Sequence, residues 1–220
     1  RSSAASDVYK RQVTNYECYK GLYSSFNCAN MHEISYSLNR QFGYENWCIY
    51  RGKHLLSFVD NHDVNRISST LTDERKLPLV FGLLMAVPGI PCIYYGSEWG
   101  IKGEKIQGVT DAPLRPEFDA PQPNELSDLV LKYIHMRRGH KALTLGDYKD
   151  LVLTNKQYVL ERNYEGEKIV VALNIDDAPY TIYPPIEHGS YQDLMSGEMV
   201  DYNGELELPP LSITYLYKHA

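Results

Sequence analysis

The residues best suited to chemistry stand together: Asp60, Asn61, His62 and Asp63 follow directly on the apolar run Leu55-Leu56-Ser57-Phe58-Val59. Two carboxylates, an amide and an imidazole within four positions offer negative charge, a proton carrier and hydrogen-bonding groups at one point of the chain. An apolar run that ends so abruptly has the form of a strand buried on both faces that delivers polar side chains at its tip. In β/α barrels that tip belongs to the C-terminal rim, where loops meet a ligand. Asn, His and Asp also form turns for backbone reasons alone, and this plainer reading competes with the catalytic one. A metal site is disfavoured, because the cluster has no spaced His, Cys or Glu partners of the kind transition metals use.

The elements around the cluster follow a strand–helix–strand–helix rhythm. The strand covers His54–Val59. Before it, Asn30 is a candidate cap with Glu33 three residues on, and Met31, Ile34, Leu38 and Phe42 keep helical spacing up to Gly43. After it, Asp73–Met85 reads as a helix that begins or bends at Pro78. Cys92–Glu98 reads as a second buried strand with a glycine and a carboxylate at its exit. The long Gly- and Pro-rich stretch from Trp99 to Pro123 carries Asp111 and Arg115 and has the character of a binding loop. Asn124 opens another helix, with Arg137, Arg138 and Gly139 suited to its end and His135 and His140 read as surface and helix-end residues.

From about Gly146 the period changes. Leu151–Leu153, Tyr158–Leu160, Ile169–Leu173, Tyr180–Tyr183 and Ile213–Tyr217 are strand-like runs, separated by turn signals at Asn155-Lys156, Glu165-Gly166-Glu167, Ser196-Gly197 and Asn203-Gly204. The expectation is a partial barrel domain over 13–145 and an antiparallel β-sandwich over 146–220. Residues 1–12 read as a non-native adapter or leader.

The 220 residues, 43% of them hydrophobic, are enough for a substantial core. A net charge of −6 and no basic stripe argue against nucleic acid, and no apolar run reaches the ~20 residues of a membrane span. The 19 tyrosines suit sugar clefts and sandwich surfaces alike. Cys18, Cys28, Cys48 and Cys92 form no regular framework, which points to free thiols and a cytoplasmic rather than secreted protein. Oligomeric state leaves no signature.

Phe58-Val59-Asp60-Asn61-His62-Asp63 resembles a signature region of the α-amylase family, glycoside hydrolase family 13, and Gly89–Glu98 resembles that family's last barrel-strand signature. The resemblance is nearest to the cyclomaltodextrinase and maltogenic kind. It implies the C-terminal part of a (β/α)₈ TIM barrel followed by a β-sandwich, cleaving α-glucosidic bonds of starch-derived oligosaccharides or cyclodextrins with retention. It implies Asp63 as the transition-state-stabilising carboxylate, His62 and Asn61 at the same sugar, and Asp111 and Arg115 on the glycone side. Glu98 is read as structural, and Arg66 receives no role. No cofactor is implied within this stretch, and calcium elsewhere in a complete barrel is left open.

A retaining glycosidase needs two carboxyl groups about 5–5.5 Å apart, a nucleophile and an acid. In the family both precede the Asn-His-Asp signature, and nothing resembling their regions occurs before residue 58. Only two barrel strands, with a third at Val13–Glu17, are in sight. The expectation is a C-terminal portion of a longer enzyme, inactive alone. The alternatives are a carbohydrate-binding or interaction remnant working through its β domain, and an α-glucan transglycosylase.

Overall fold

The computed structural model describes residues 13–106 and 108–218; the adapter reading of 1–12 lies outside them. Two halves follow in order. The first holds α1 (Tyr16–Asn27), α2 (His32–Phe42), β1 (Leu56–Phe58), α3 (Ile67–Thr70), α4 (Leu77–Ala86), β2 (Ile90–Cys92), α5 (Glu125–Gly139) and α6 (Lys141–Leu145). The second holds β3 (Asp147–Leu153), β4 (Gln157–Tyr164), β5 (Glu167–Asn174), β6 (Tyr180–Ile182), β7 (Gly189–Asp193), β8 (Met199–Tyr202), β9 (Leu206–Leu208) and β10 (Ser212–Tyr217).

β1 and β2 pair in parallel, Leu56 opposite Ile90, and α3 and α4 form the crossover between them. A parallel bridge from Thr14 to Leu56 adds the rudiment of a third strand, but the chain turns into α1 at Tyr16, so the strand expected over Val13–Glu17 is cut short. Asn15 makes that turn: its side chain accepts from the Cys18 N–H (3.0 Å), capping α1, and is buried against Gln41.

Several sequence expectations shift. Asn30 does not cap α2; the cap position is Met31, and the free Ile34 N–H donates instead to Ser25 Oγ on α1 (3.0 Å). Tertiary packing of α1 on α2 thus replaces the local cap. Pro78 falls in the first turn of α4, where its missing N–H costs nothing, so the helix starts there without bending. The second strand runs over Ile90–Cys92 and not Cys92–Glu98, because Gly96 in the left-handed region (φ +82°) closes a turn with Ser97 N–H donating to Tyr94 O. Asn124 caps α5, as its sequence context predicts.

The β half is a six-stranded antiparallel sheet in the order β3-β4-β5-β10-β7-β8, faced by the pair β6-β9. The unbroken apolar run Ile169–Leu173 makes β5 a central strand, buried on both faces. Ile169, Val171 and Leu173 join the core shared with the helices, and Val170 and Ala172 face the core closed by Ile182, Leu206 and Leu208. Glu165 and Gly166, both at positive φ, form the two-residue turn between β4 and β5.

Two buried arginines, Arg137 on α5 and Arg162 on β4, meet at the end of α4, and Arg162 joins the two halves there. Arg137 donates to the carbonyls of Met85, Val87 and Gly89, and Arg162 to Ala86 O at 2.6 Å. Arg137 lies in the last turn of its own helix, as expected, and is also a buried clamp on the last carbonyls of a neighbouring one. His140 stands at the end of α5, as expected, and is half-buried there with Nδ1 2.8 Å from Glu167 on β5.

Candidate active site

The loop from Asp60 to Arg66 leaves β1 at its C-terminal end and enters α3. It is fixed at both ends by buried charge. Asp60 is 1% exposed; its Oδ2 accepts from the Ile67 N–H (2.8 Å) and its Oδ1 from the Ser97 hydroxyl (2.6 Å). Burial pushes its carboxyl above the usual carboxylate range, against the opposing pull of those two bonds and of Arg66.

Arg66 has no solvent exposure. Its guanidinium donates to Tyr95 O (2.8 Å), Ser97 Oγ (3.2 Å) and Leu114 O (2.7 Å), and its centre is 4.1 Å from the Tyr94 ring centroid. The main-chain N–H of Arg66 donates to Gly103 O (2.9 Å). One residue therefore ties the loop after β2 and the 111–115 turn, through its side chain, and the Gly103 strap, through its main chain, to the end of the Asn-His-Asp loop. The sequence reading gave Arg66 no role; its only signal there is an arginine three residues past Asp63.

Between these anchors His62 and Asp63 stand open to solvent and Asn61 is half-buried. Asn61 Oδ1 accepts from the Asp63 N–H (2.8 Å), which shapes the tip, and Asn61 Nδ2 donates to the Tyr16 hydroxyl (3.2 Å). His62 Nε2 is 3.4 Å from Asp63 Oδ1, with both side chains more than half exposed. The His62 ring lies 6.4 Å from the Tyr94 ring.

Asp111 and Arg115 form an ion pair (2.9 Å), and Arg115 Nη2 donates to His62 O (3.3 Å). All five candidate residues of the sequence analysis are thus brought to one rim. Tyr16 and Tyr94 join them, unforeseen because neither carries a spacing signal of its own. Glu98 lines a cavity of about 560 Å³ with Tyr95, Trp99 and Leu131, and its Oε2 is buried without a hydrogen-bond partner.

Chemically, the rim offers an accessible carboxylate beside an imidazole, with aromatic and cationic flanks. Such a group stabilises positive charge developing on a bound molecule and accepts hydrogen bonds from hydroxyls. Of the upstream carboxylates, Glu17 is ion-paired with Arg40, and Glu33 accepts from the Ser24 hydroxyl. Among the described residues no group of three or more His, Cys, Asp or Glu is placed to hold a metal ion. No described helix is long and apolar enough to cross a membrane, and all four cysteines are free thiols.

A parallel β/α unit that presents polar residues at the strand's C-terminal end, followed by an antiparallel sandwich, defines the terminal part of a TIM-barrel protein with an appended β domain. The alpha-amylase catalytic-domain family model matches residues 20–144, and the chain belongs to that family. It is 28% identical over 147 residues to a cyclomaltodextrin glucanotransferase of Geobacillus stearothermophilus, a match that covers 64% of this chain and 20% of that protein. It is 29% identical over 171 residues to alpha-amylase 2 of Dictyoglomus thermophilum, covering 74% of this chain and 29% of the relative. The fold matches an Anoxybacillus alpha-amylase (TM-score 0.77, 24% identity) over 95% of this chain and 48% of that one. It also matches the acarbose complex of a Geobacillus thermoleovorans alpha-amylase (TM-score 0.77, 22% identity), over 94% and 48% respectively. The chain therefore spans less than a third of these curated relatives and about half of these solved structures.

Proposed function

We propose that this chain is the C-terminal share of a retaining hydrolase of α-glucosidic bonds, acting on starch-derived oligosaccharides or cyclodextrins, with Asp63 as its transition-state-stabilising carboxylate. The observation that carries this is the rim itself: an open Asp63 carboxylate beside His62, with the Asp111–Arg115 pair hydrogen-bonded to the same loop. An oxocarbenium-like centre needs negative charge close by, and hydrogen bonds to ring hydroxyls strengthen as the ring flattens. His62, Asn61 and Arg115 supply such groups. Related structures hold acarbose and maltotriose, which supports an α-glucan ligand.

The 220 residues alone are expected not to turn over substrate, since nothing resembling the family's nucleophile and acid regions occurs before residue 58. Assaying the chain on maltooligosaccharides tests this, and turnover well above buffer refutes it. In an enzyme that carries the nucleophile and acid, Asp63→Asn should lower kcat by orders of magnitude with the fold intact, because the charge acts mainly in the transition state. Unchanged turnover removes Asp63 from the mechanism. The glucanotransferase relative supports a second reading, transglycosylation at the same carboxylates; glucosyl transfer to an added sugar acceptor, in place of hydrolysis, distinguishes it.

A further inference from the structure

The rim has two flanks, because Leu56 of β1 pairs with Ile90 of β2 on one side and with Thr14 on the other. The β2 flank carries Arg66, Tyr94 and the Asp111–Arg115 pair, which reaches the loop through His62 O. The opposite flank carries Tyr16. Main-chain bonds set its place: Asn15 N–H donates to Leu56 O (2.8 Å), and Asn15 Oδ1 accepts from the Cys18 N–H (3.0 Å), so Tyr16 opens α1 directly after the strand rudiment. Its ring stands edge-on to Phe58 (5.1 Å, 82°), which also stacks on Tyr19 (5.2 Å, 10°). Held in this way, Tyr16 is still 45% exposed.

The hydrogen bonds at the loop tip run in one direction. A main-chain N–H can only donate, so the Asn61 oxygen must face the Asp63 N–H, and the Asn61 Nδ2 group must face Tyr16. An amide nitrogen donates and does not accept, so the Tyr16 oxygen is the acceptor of that bond (3.2 Å). The proton of the Tyr16 hydroxyl is then left without an acceptor among the described residues. The flank therefore ends in a free O–H donor on a fixed ring, one hydrogen bond away from the loop that holds the open Asp63 carboxylate.

A sugar carries hydroxyls that both donate and accept, and apolar C–H faces between them. A carboxylate acceptor and a phenolic donor, tied to one loop and set beside an exposed aromatic ring, match that mixture. We propose that Tyr16 is a sugar-contacting residue of this rim, its hydroxyl donating to a hydroxyl of an α-glucan on the flank of Asp63 that lies away from Asp111 and Arg115. The bound chain then crosses the loop tip from the Arg115 flank to the Tyr16 flank. This rests on the α-glucan reading of the rim and adds to it a residue from the neighbouring strand.

The test is titration of the ¹⁵N-labelled 220-residue chain with maltotriose, read by NMR at the Asn61 side-chain amide. Saturable binding that moves this signal is expected. Tyr16→Phe keeps the ring and its packing on Phe58, and it should weaken binding about three- to tenfold, the worth of one hydrogen bond, with the thermal midpoint unchanged. Tyr36→Phe, at an exposed tyrosine of α2, should leave the affinity as it is. Equal affinity of the Tyr16→Phe variant and the parent overturns the proposal and leaves the α-glucan reading standing. So does a Tyr16→Phe loss accompanied by a fall of the midpoint, which marks a structural role, or an equal loss in Tyr36→Phe. No saturable binding to the parent below about 50 mM overturns the α-glucan reading and this proposal together.

Discussion

Replacing Arg66 with methionine, which keeps much of the side chain's length but removes its charge and donors, should be among the most destabilising single changes near the rim. Three acceptors lose a charged donor: Leu114 O in a buried position, Tyr95 O, and Ser97 Oγ, which also serves Asp60. A buried acceptor left bare costs about 1–3 kcal/mol, and one that water can reach costs less. The Tyr94 stacking contact is also lost. Relief comes from no longer burying a cation whose Nε has no partner. The net expectation is about 3 kcal/mol. Urea unfolding followed by tryptophan fluorescence measures it, since Trp99 packs on Phe118 (5.2 Å) within the loops that Arg66 ties together. Arg66→Lys should recover only part, because an ammonium cannot span acceptors that a planar fork reaches. A loss below about 1 kcal/mol for the methionine variant would refute the view that Arg66 organises this rim.

The Asp60 carboxyl is held above its ordinary value of 3.8, so the folded state binds its proton more tightly than the unfolded chain. Its contribution to stability is full below that value and is lost as pH rises through the folded one; urea midpoints of Asp60→Asn should accordingly show a flatter acid-range profile than the parent. Gly89→Ala should cost more than about 2 kcal/mol, because the added Cβ would lie 2.5 Å from Leu55 O at φ +102°, whereas Gly52→Ala, with nothing within 4 Å, should cost about 1. The same denaturation assay ranks them, and equal losses would contradict the steric argument. Asp150→Ala should destabilise by about 2–3 kcal/mol, because it strips an acceptor from Ser35 and Asn39 on α2 and from Tyr148 and Tyr158 in the sheet; thermal midpoints measure this one.

What the sequence disclosed was governed by local patterns. The all-apolar run Ile169–Leu173 declared a strand, Glu165-Gly166 declared its turn, and Asn124 declared a helix start, because each signal is complete within a few residues. The Asn-His-Asp cluster was visible for the same reason. Lost were features whose cause lies elsewhere in the chain. Asn30 did not cap because Ser25 on another helix did the work, and the last barrel strand moved upstream because Gly96 closes a turn there. The burial of Arg66, Arg137 and Arg162 was not legible, since nothing nearby in sequence marks the carbonyls they satisfy.

The anchoring of the rim separates what the loop does from what holds it. Asp60 and Arg66 are six positions apart, fully desolvated, and bonded to groups on β2's exit and the 111–115 turn. Asn61, His62 and Asp63 between them contribute few side-chain contacts: a turn bond, a bond to Tyr16, a distant ring contact with Tyr94 and a long carboxylate–imidazole approach. Exposed groups of that kind rarely contribute more than a few tenths of a kcal/mol to stability. A site that must keep a carboxylate open for a passing charge cannot satisfy it internally, so its position has to be imposed by neighbours that are satisfied. It follows that Asp63→Asn should leave the unfolding midpoint nearly unchanged while Asp60→Asn, three residues earlier in the same signature, moves it. Two substitutions of one residue type thus divide the signature into its chemical and its mechanical parts.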